Sequence, residues 1–348
     1  MLKELMLFIA AFSAAGYVPA SAQSGATLAS VGYADPQFLN VAPGQVLTLF
    51  VTGSQILLPE SPGGQANPSQ VAGKVPLPTS LAGFSVIISQ NAGQAAVPLP
   101  IFSVEQINRC DAGSANSPEC IITAITVQMP SGLAVPQGSG AFTQTTLTIV
   151  QNGQAGTPFN ATVLPFRPHI LTLCDATSVN REYGPLSMPC PSVVTHSDGS
   201  LVEASNPAQP GETVVMYAFG LGPTSQAVPA GTATPMALIT TAVPYTLLMA
   251  YRGSGPASAP PLQGYAPAFA GLTPGQVGLY QVNFLVPAPS GPISDCGSPD
   301  GANLFVTLTS ATPQPLFNNS VYGLDTAQIC VAAATPARGS EAGLKAAR

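Results

Sequence analysis

The sequence predicts an all-β protein that folds as two tandem immunoglobulin-like β-sandwich domains. Only 7% of the 348 residues are charged, against about 25% in ordinary soluble domains. The chain also contains 34 Gly and 37 Pro, residues that disfavour helix interiors. Long amphipathic helices need charged outer faces and few such residues. The composition therefore favours short strands joined by turns.

Short runs of apolar and polar residues in alternation mark the predicted strands. Residues 145–150 alternate with a period of two, as a half-buried strand requires. Asn152-Gly153 follows directly, and both residues tolerate the positive φ of a tight hairpin. Such runs predict strands at 46–51, 83–89, 121–128, 145–150 and 160–164 in the first half, and at 213–219, 245–251, 280–286, 304–309 and 319–324 in the second.

The two halves of the chain repeat one pattern, which begins with a Pro-Gly turn before a β-rich run. Further segments recur in the same order and at similar intervals, so one β unit is predicted to occur twice. Two sandwiches of immunoglobulin type fit this pattern, and closed barrels are the alternative. The correspondences pair Pro43-Gly44 with Pro210-Gly211, residues 106–108 and 125–130 with 281–287, and residues 159–163 with 317–321.

The junction between the units is predicted near Pro165. Pro165 and Pro168 make a short, stiff connection, which restricts the angle between the two domains. The first domain is expected to span residues 23–165 and the second residues 166–331. Residues 332–348 lose the apolar periodicity and are predicted to be a disordered tail.

Residues 1–22 are predicted to be a cleaved export signal. Lys3 precedes an apolar run, and Ala20-Ser21-Ala22 supplies the small residues of a cleavage site before Gln23. The apolar run is too short to span a bilayer as a helix. We therefore expect a secreted, extracellular or periplasmic protein with no integral membrane segment in the mature chain.

Six cysteines in an exported chain favour disulfides over metal sites or reactive thiols. Proximity favours three local pairs, although other pairings are open. The chain has no C-x-x-C motif, and its two histidines are not in ligand spacing with cysteines, so no metal site is predicted. The predicted pairs are Cys110 with Cys120, Cys174 with Cys190, and Cys296 with Cys330.

The second half resembles a known but uncharacterised family. The segments Gly220-Leu221-Gly222-Pro223 and Pro229-Ala230-Gly231, followed by AGLTPGQVGLYQVN at 270–283, closely resemble a C-terminal domain abundant in secreted acidobacterial proteins of the Solibacter type. The resemblance spans most of residues 168–335 and extends less tightly over the first half. It implies export and an immunoglobulin-like fold. It implies no reaction and no catalytic residue.

Two polar clusters contain residue types found in catalytic or metal sites, but both are predicted to be structural. His196 and Asp198 lie close to Ser200, as in a hydrolase triad, but no G-x-S-x-G elbow is present and Asp198-Gly199 is typical of a turn. The segment 295–303 offers only three oxygen ligands, too few for calcium. No catalytic residue and no cofactor are predicted.

The function predicted from the sequence is a non-catalytic module for adhesion or scaffolding at or outside the cell surface. Its partner would be an extracellular protein or a polysaccharide. Nucleic acid is excluded because the net charge is −6 and no basic run occurs. One alternative is a glycan-binding module that uses Tyr251, Tyr265 and Phe269 as stacking surfaces. A second is a hydrolase of unrecognised type.

Overall fold

The structure is a computed structural model and describes residues 27–31, 39–54, 56, 58, 69–91, 95–108, 121–136, 144–173, 175, 191–254, 262–297, 301–310 and 325–332. Within these ranges the chain forms 21 strands and no α-helix, which confirms the all-β prediction. The predicted export signal, the strand at 319–324 and all but the first residue of the predicted tail lie outside the described residues.

The first eleven strands form two sheets. The first sheet has the order β1-β3-β8-β7-β4, and the second has the order β2-β11-β9-β5-β6 with β10 paired to β9. Neighbouring strands are antiparallel except β2 and β11, which are parallel. The strands are β1 (Thr27–Val31), β2 (Asn40–Val41), β3 (Val46–Thr52), β4 (Ser69–Val71), β5 (Phe84–Gln90), β6 (Val97–Pro98), β7 (Ile101–Asn108), β8 (Ile121–Gln128), β9 (Thr145–Gln151), β10 (Gln154–Ala155) and β11 (Phe159–Val163).

The remaining ten strands form two further sheets. The third sheet has the order β12-β14-β19-β18-β15 with β13 paired to β14, and the fourth has the order β17-β16-β20-β21. The strands are β12 (His169–Ile170), β13 (Val194–Thr195), β14 (Thr213–Phe219), β15 (Ile239–Thr240), β16 (Tyr245–Tyr251), β17 (Gln263–Tyr265), β18 (Phe269–Leu272), β19 (Tyr280–Leu285), β20 (Leu304–Ser310) and β21 (Asp325–Ile329).

Each pair of sheets encloses its own apolar core, as in an immunoglobulin-like sandwich. In the N-terminal sandwich, formed by the first two sheets, Leu49 and Ile125 of the first sheet share a core with Phe84 and Leu147 of the second. In the C-terminal sandwich, formed by the other two sheets, the corresponding cluster lies within residues 170–331. That the two sandwiches fold as separate domains, with a boundary at residue 165, stays a prediction.

The strand pairing shows that one arrangement occurs twice. β3 pairs with β8 so that Val46 faces Gln128, and β14 pairs with β19 so that Thr213 faces Leu285. In the other sheets, β5 pairs with β9 and β16 pairs with β20 over their whole lengths. The strands β5, β16 and β20 even share one alternation of buried and half-buried residues. The duplication predicted from the sequence is therefore present in the sheet topology.

One of the predicted correspondences within the repeat is wrong. Residues 106–108 end β7, whereas residues 281–283 lie in β19, whose counterpart by pairing is β8. The counterpart of β11 by pairing is β21, in which Ala327 takes the buried position of Ala161. Residues 317–321, which the sequence matched to β11, lie outside the described residues.

Two of the strands that the sequence did not predict, β7 and β18, carry local irregularities. In β7 the register with β8 shifts between Ile101 and Ser103, and this bulge interrupts the period of two. In β18, Gly271 interrupts the β-rich pattern, although the sheet requires it. A Cβ at Gly271 would lie 2.1 Å from the carbonyl oxygen of Ile239 in the neighbouring β15.

The connection between the sandwiches is packed into the C-terminal one. Arg167 N donates to the carbonyl oxygen of Gly220 at 2.7 Å, and the buried ring of Phe166 lies edge-on to Tyr245 with a centroid distance of 6.0 Å. Gly220 and Gly222 both have positive φ, and a Cβ at Gly222 would lie 2.4 Å from the carbonyl oxygen of Pro165. The linker is therefore held by close backbone packing as well as by its prolines.

The two sandwiches also meet directly, through the buried side chain of Gln128 at the end of β8. Gln128 Oε1 accepts from Gly231 N at 2.6 Å, and Gln128 Nε2 donates to the carbonyl oxygen of Gly44 at 3.2 Å. The carbonyl oxygen of Gly231 accepts in turn from Leu77 N at 2.8 Å. A Cβ at Gly278 would lie 2.6 Å from Gln128 Nε2, so this contact leaves no room for a side chain there.

Replacing Gly220 by Ala is expected to reduce the free energy of unfolding by more than about 3 kcal/mol. The new Cβ would lie 2.0 Å from the carbonyl oxygen of Arg167, and the positive φ adds conformational strain. Gly211→Ala is the matched control, because Gly211 has a φ of +87° and no atom within 4 Å of its Cβ position. Urea unfolding measures both variants, and equal losses would show that the linker is not packed as described.

Replacing Gln128 by Leu is expected to cost about 1–3 kcal/mol, because buried backbone groups of Gly44 and Gly231 lose their partner. Gln328→Leu serves as the control, since Gln328 is exposed on β21 and its loss should change stability by less than about 0.5 kcal/mol. Urea unfolding followed by probes in each sandwich measures the effect. A Gln128→Leu protein with the free energy of unfolding of the wild type would contradict the proposed role of this amide.

Candidate functional site

A cleft lies where the two sandwiches meet. Its volume is about 170 Å³, and segments of both sandwiches line it. None of the lining residues is acidic or basic, so the cleft is electrostatically neutral. The lining consists of Pro43, Gly44, Gln128 and Ser131 from the N-terminal sandwich, and Gly222, Pro223, Thr224, Ala227, Val228, Thr234, Leu272, Gly278 and Tyr280 from the C-terminal one.

Tyr280 forms a fixed wall of the cleft. Its ring is buried in the C-terminal core, and its hydroxyl donates to the carbonyl oxygen of Gly222 at 2.5 Å. Burial raises the pKa of this hydroxyl, so it stays protonated at neutral pH. A Cβ at Gly44 would lie 3.5 Å from the hydroxyl oxygen, so the turn that contains Gly44 lies directly against it.

Thr234 lines the same cleft, although its hydroxyl oxygen is itself buried from solvent. The residue is only 3% exposed, and its backbone N–H donates to Gln276 while its carbonyl accepts from Gly275. Its side-chain Oγ1 finds no hydrogen-bond partner among the described residues. A buried hydroxyl without a partner is uncommon, because the lost hydration is not replaced.

His169 lies away from the cleft, in a buried cluster with two carboxylates. Its Nε2 lies 3.0 Å from Asp175 Oδ2, and its Nδ1 lies 3.3 Å from Asp325 Oδ2. Asp325 also accepts from Ile170 N, and Asp175 accepts from the N–H and hydroxyl of Thr172. The cluster ties the start of β12 to the start of β21.

The pKa of His169 is raised by its carboxylate neighbours. Burial alone would lower this pKa, but the hydrogen bonds and charges of Asp175 and Asp325 outweigh it. The pKa of Asp175 is lowered in the same way: burial would raise it, and the hydrogen bond and charge of His169 outweigh that effect. With a donor on each ring nitrogen, the imidazolium form satisfies both carboxylates.

His196 is held by a different carboxylate from the one that the triad pattern suggests. Its Nδ1 lies 2.5 Å from Glu212 Oε1, and its Nε2 lies 3.1 Å from the carbonyl oxygen of Asn206. Asp198 instead accepts from the N–H and the hydroxyl of Ser200, which closes a turn. Burial lowers the pKa of His196, but Glu212 and the Asn206 carbonyl raise it overall. His196 is thus not oriented to activate Ser200.

The three aromatic residues predicted to contact a ligand come from two different sheets. Tyr251 and Tyr265 lie in the fourth sheet and pack against the core, whereas Phe269 lies in the third sheet. The hydroxyl of Tyr251 donates to the carbonyl oxygen of Pro287 at 2.6 Å, and burial raises its pKa to about 12. The hydroxyl of Tyr265 donates to Gln263. Contact of these three residues with a glycan stays a prediction.

The predicted pair Cys296–Cys330 and the polar segment 295–303 lie together at the end of the C-terminal sandwich. Cys296 and Cys330 form a disulfide with a Cα–Cα distance of 5.4 Å. Asn303 is fully buried and donates to the carbonyl oxygens of Ser294 and Val331, so it clamps the chain ends instead of facing an ion. The pairs Cys110–Cys120 and Cys174–Cys190, like Asp300, lie outside the described residues.

Among the described residues, no three His, Cys, Asp or Glu side chains are grouped so that they could hold a metal ion. No helix in that part of the chain has the length and apolar character needed to cross a membrane.

Comparison with known proteins adds little to this geometry. No protein family and no curated protein matches the chain. A solved structure entitled BspA_C_WT is similar over 84% of this chain and 95% of that chain, with 11% sequence identity and a TM-score of 0.17. The class of the protein is defined by its own sheets: an all-β protein of two joined sandwiches. Membership of the acidobacterial family stays a prediction.

The sequence did not reveal the cleft, because its residues come from separate segments of both halves. The one available signal was the density of glycines in 220–222 and 275–278, which the resemblance to the acidobacterial family had already picked out. Glycines there allow the backbone and Gln128 to approach closely. Nothing in the local pattern indicated that Thr234 would be buried.

Replacing His169 by Gln is expected to flatten part of the pH dependence of stability. Because the folded pKa of His169 is raised above 6.5, its contribution is complete below about pH 6.5 and is lost as the pH rises through the folded pKa. Wild-type stability should therefore fall by about 1 kcal/mol between about pH 6 and pH 8. Urea unfolding across this range measures the slope.

His196→Gln is the companion variant, since His196 has a raised pKa for the same reason and the chain contains only these two histidines. The free energy of unfolding of the double variant should not change with pH in this range. A wild type whose stability rises with pH, or a double variant with the wild-type slope, would disprove the assignment.

Proposed function

We propose that this chain is a secreted, non-catalytic protein that acts at or outside the cell surface as an adhesion or scaffold module. The observation that carries the proposal is where the ionisable side chains lie and what they contact. Both histidines pair with carboxylates that join strands, and the cleft between the sandwiches is lined by no acidic or basic side chain. Proton transfer and nucleophilic attack need ionisable groups that converge on a cleft.

The hydroxyls of the cleft do not supply an alternative catalytic centre. Ser131, Thr224 and Thr234 line it, but a hydroxyl acts as a nucleophile only when an adjacent base activates it. The lining contains neither a histidine nor a carboxylate. The geometry thus favours binding over turnover.

Export is supported by two features. The sequence of residues 1–22 is typical of a cleaved signal, and the disulfide between Cys296 and Cys330 suits an oxidising compartment. The resemblance to secreted acidobacterial proteins agrees with this location. The mature protein would begin at Gln23.

Exposed sheet edges and loops would carry the contacts with an extracellular protein or polysaccharide. β4 terminates the first sheet, and all three of its residues are exposed, with Val71 at 69%. β21 terminates the fourth sheet, but there Gln328 N donates to the hydroxyl of Ser192. One edge is therefore protected while another stays open to a partner.

The proposal is tested by fractionation and sedimentation. Cells that make the full chain should release or display a protein whose new N-terminus is Gln23. The purified mature protein should sediment saturably with cell envelopes of the producing organism, and heat-unfolded protein serves as the control. A chain that stays in the cytoplasm, or that never sediments with envelopes, would disprove the proposal.

Enzyme screens test the non-catalytic part. Esterase, peptidase and glycosidase substrates should show no turnover above the blank with the purified protein. Turnover that His196→Ala abolishes would establish the hydrolase alternative instead.

A further inference from the structure

We propose that His169 is a pH-sensitive latch between the third and fourth sheets. While its imidazole is protonated, the latch holds the start of β21 against β12, and loss of one ring proton releases it. This inference goes beyond the adhesion or scaffold role and does not depend on it. It rests on the position of the imidazole between two carboxylates, on their unequal exposure to water, and on the contacts along the rest of β21.

The latch lies where the edges of two sheets meet. β12, which begins at His169, terminates the third sheet, and β21, which begins at Asp325, terminates the fourth. The carboxylate of Asp325 accepts from the backbone N–H of Ile170 at 2.7 Å and lies 3.3 Å from His169 Nδ1. The side chain of Asp325 thus holds the first residue of β21 to both residues of β12.

Asp175 anchors the opposite side of the ring. Its Oδ2 lies 3.0 Å from His169 Nε2 and also accepts from the backbone N–H and the hydroxyl of Thr172 at 2.6 and 2.9 Å. The side chain of Asp175 is 12% exposed, whereas that of Asp325 is 33% exposed. Water can therefore compensate Asp325 for a lost partner more readily than it can compensate Asp175.

These two carboxylates supply the charge that acts on the imidazole. β14, which pairs with β12 and places Phe219 opposite His169, contains no Asp, Glu, Lys, Arg or His. Asp325 is the one residue of these types in β21. Protonation of His169 consequently decides whether the two carboxylates have a cation between them.

Loss of a proton leaves the ring with one N–H for two carboxylates. The proton stays on Nε2, because Asp175 is the nearer and the more buried of the two carboxylates. Nδ1 then directs a lone pair toward Asp325 Oδ2, and two acceptors without a proton between them repel each other. Within β12, the N–H of Ile170 is then the one group that still binds Asp325.

The other end of β21 is fastened independently of this histidine. The backbone N–H of Ala208 donates to the carbonyl oxygen of Cys330 at 2.9 Å, and Cys330 is also held by its disulfide. Between the two ends, the N–H of Gln328 donates to the hydroxyl of Ser192 at 3.2 Å. Release of Asp325 therefore separates the start of β21 from β12 while the end stays in place, which exposes part of an otherwise protected sheet edge.

The pH at which the latch opens follows from the pKa of His169. Burial lowers this pKa, but the hydrogen bonds and charges of Asp175 and Asp325 raise it overall above 6.5. The latch is therefore closed below about pH 6.5 and opens as the pH rises through the pKa of the folded protein. A histidine buried without a carboxylate would lose its proton at a lower pH than 6.5 instead.

The test measures hydrogen exchange of single backbone amides in the full mature protein by NMR, from about pH 6 to about pH 9. Each rate is divided into the rate of the unfolded chain at the same pH, which gives a protection factor free of the intrinsic pH dependence. Ile170 reports the latch, and Ala208 reports the other end of β21. Leu247, buried in the middle of the fourth sheet, reports unfolding of the whole sandwich.

The latch predicts a local change. Ile170 should be less protected than Leu247, and its protection should fall by about tenfold or more as the ring signals of His169 report loss of the proton. The protection of Ala208 should stay the same. Equal protection of Ile170 and Leu247, no fall at Ile170, or an equal fall at Ile170 and Ala208 would overturn the proposal.

The nitrogen signals of the ring test which contact is released. At alkaline pH the remaining proton should lie on Nε2, against Asp175. A proton on Nδ1 would leave Asp325 bound and would overturn the assignment of the release to β21. These measurements use the wild type alone, so they decide the proposal even if a variant fails to fold.

His169→Gln and His196→Gln form the matched pair of variants. Gln at position 169 can donate to a carboxylate but cannot change its charge, so the protection of Ile170 should become independent of pH. His196→Gln should keep the wild-type fall, because His196 contacts Glu212 and Asn206 and neither β12 nor β21. A fall that persists in His169→Gln, or one that His196→Gln removes, would contradict the latch.

Discussion

The structure depends on one buried amide at the meeting point of its two halves. Gln128 uses both ends of its side chain to satisfy backbone groups of Gly44 and Gly231, which the contact removes from water. Unpaired, each such group would cost about 1–3 kcal/mol. Because so few charges are available in this chain, neutral hydrogen bonds of this kind replace the ion pairs that often join domains. The linker packing at Gly220 and the neutral cleft adjoin the same contact.

The duplicated turns show how one repeat acquires two roles. Gln45 and Glu212 occupy equivalent positions, and each closes its turn by accepting the N–H three residues earlier. In the first half the turn glycine, Gly44, lies against Tyr280 and the cleft. In the second half Gly211 faces open space, and Glu212 holds His196 instead. The cleft therefore adjoins the turn of the first unit, although this turn occurs in both units.

Ionisable groups in the C-terminal sandwich serve to join strands. His169 connects β12 to Asp325 on β21, and His196 connects β13 to Glu212 before β14. These pairs lie at strand ends, where the ladder hydrogen bonds stop and a side chain can replace them. The cleft, by contrast, is lined by no acidic or basic side chain.

The sequence by itself determined the all-β class, the repeat, and most long strands, because composition and the alternation of residues such as 145–150 are local properties of the chain. It did not predict β7 and β18. A bulge in β7 and Gly271 in β18 interrupt that alternation, because the pairing with the neighbouring strands requires them. Only the tertiary structure decided that Gln128, Thr234 and Tyr280 share one cleft. Long-range packing between separate segments fixes that arrangement, and no single segment carries a pattern that records its distant partner.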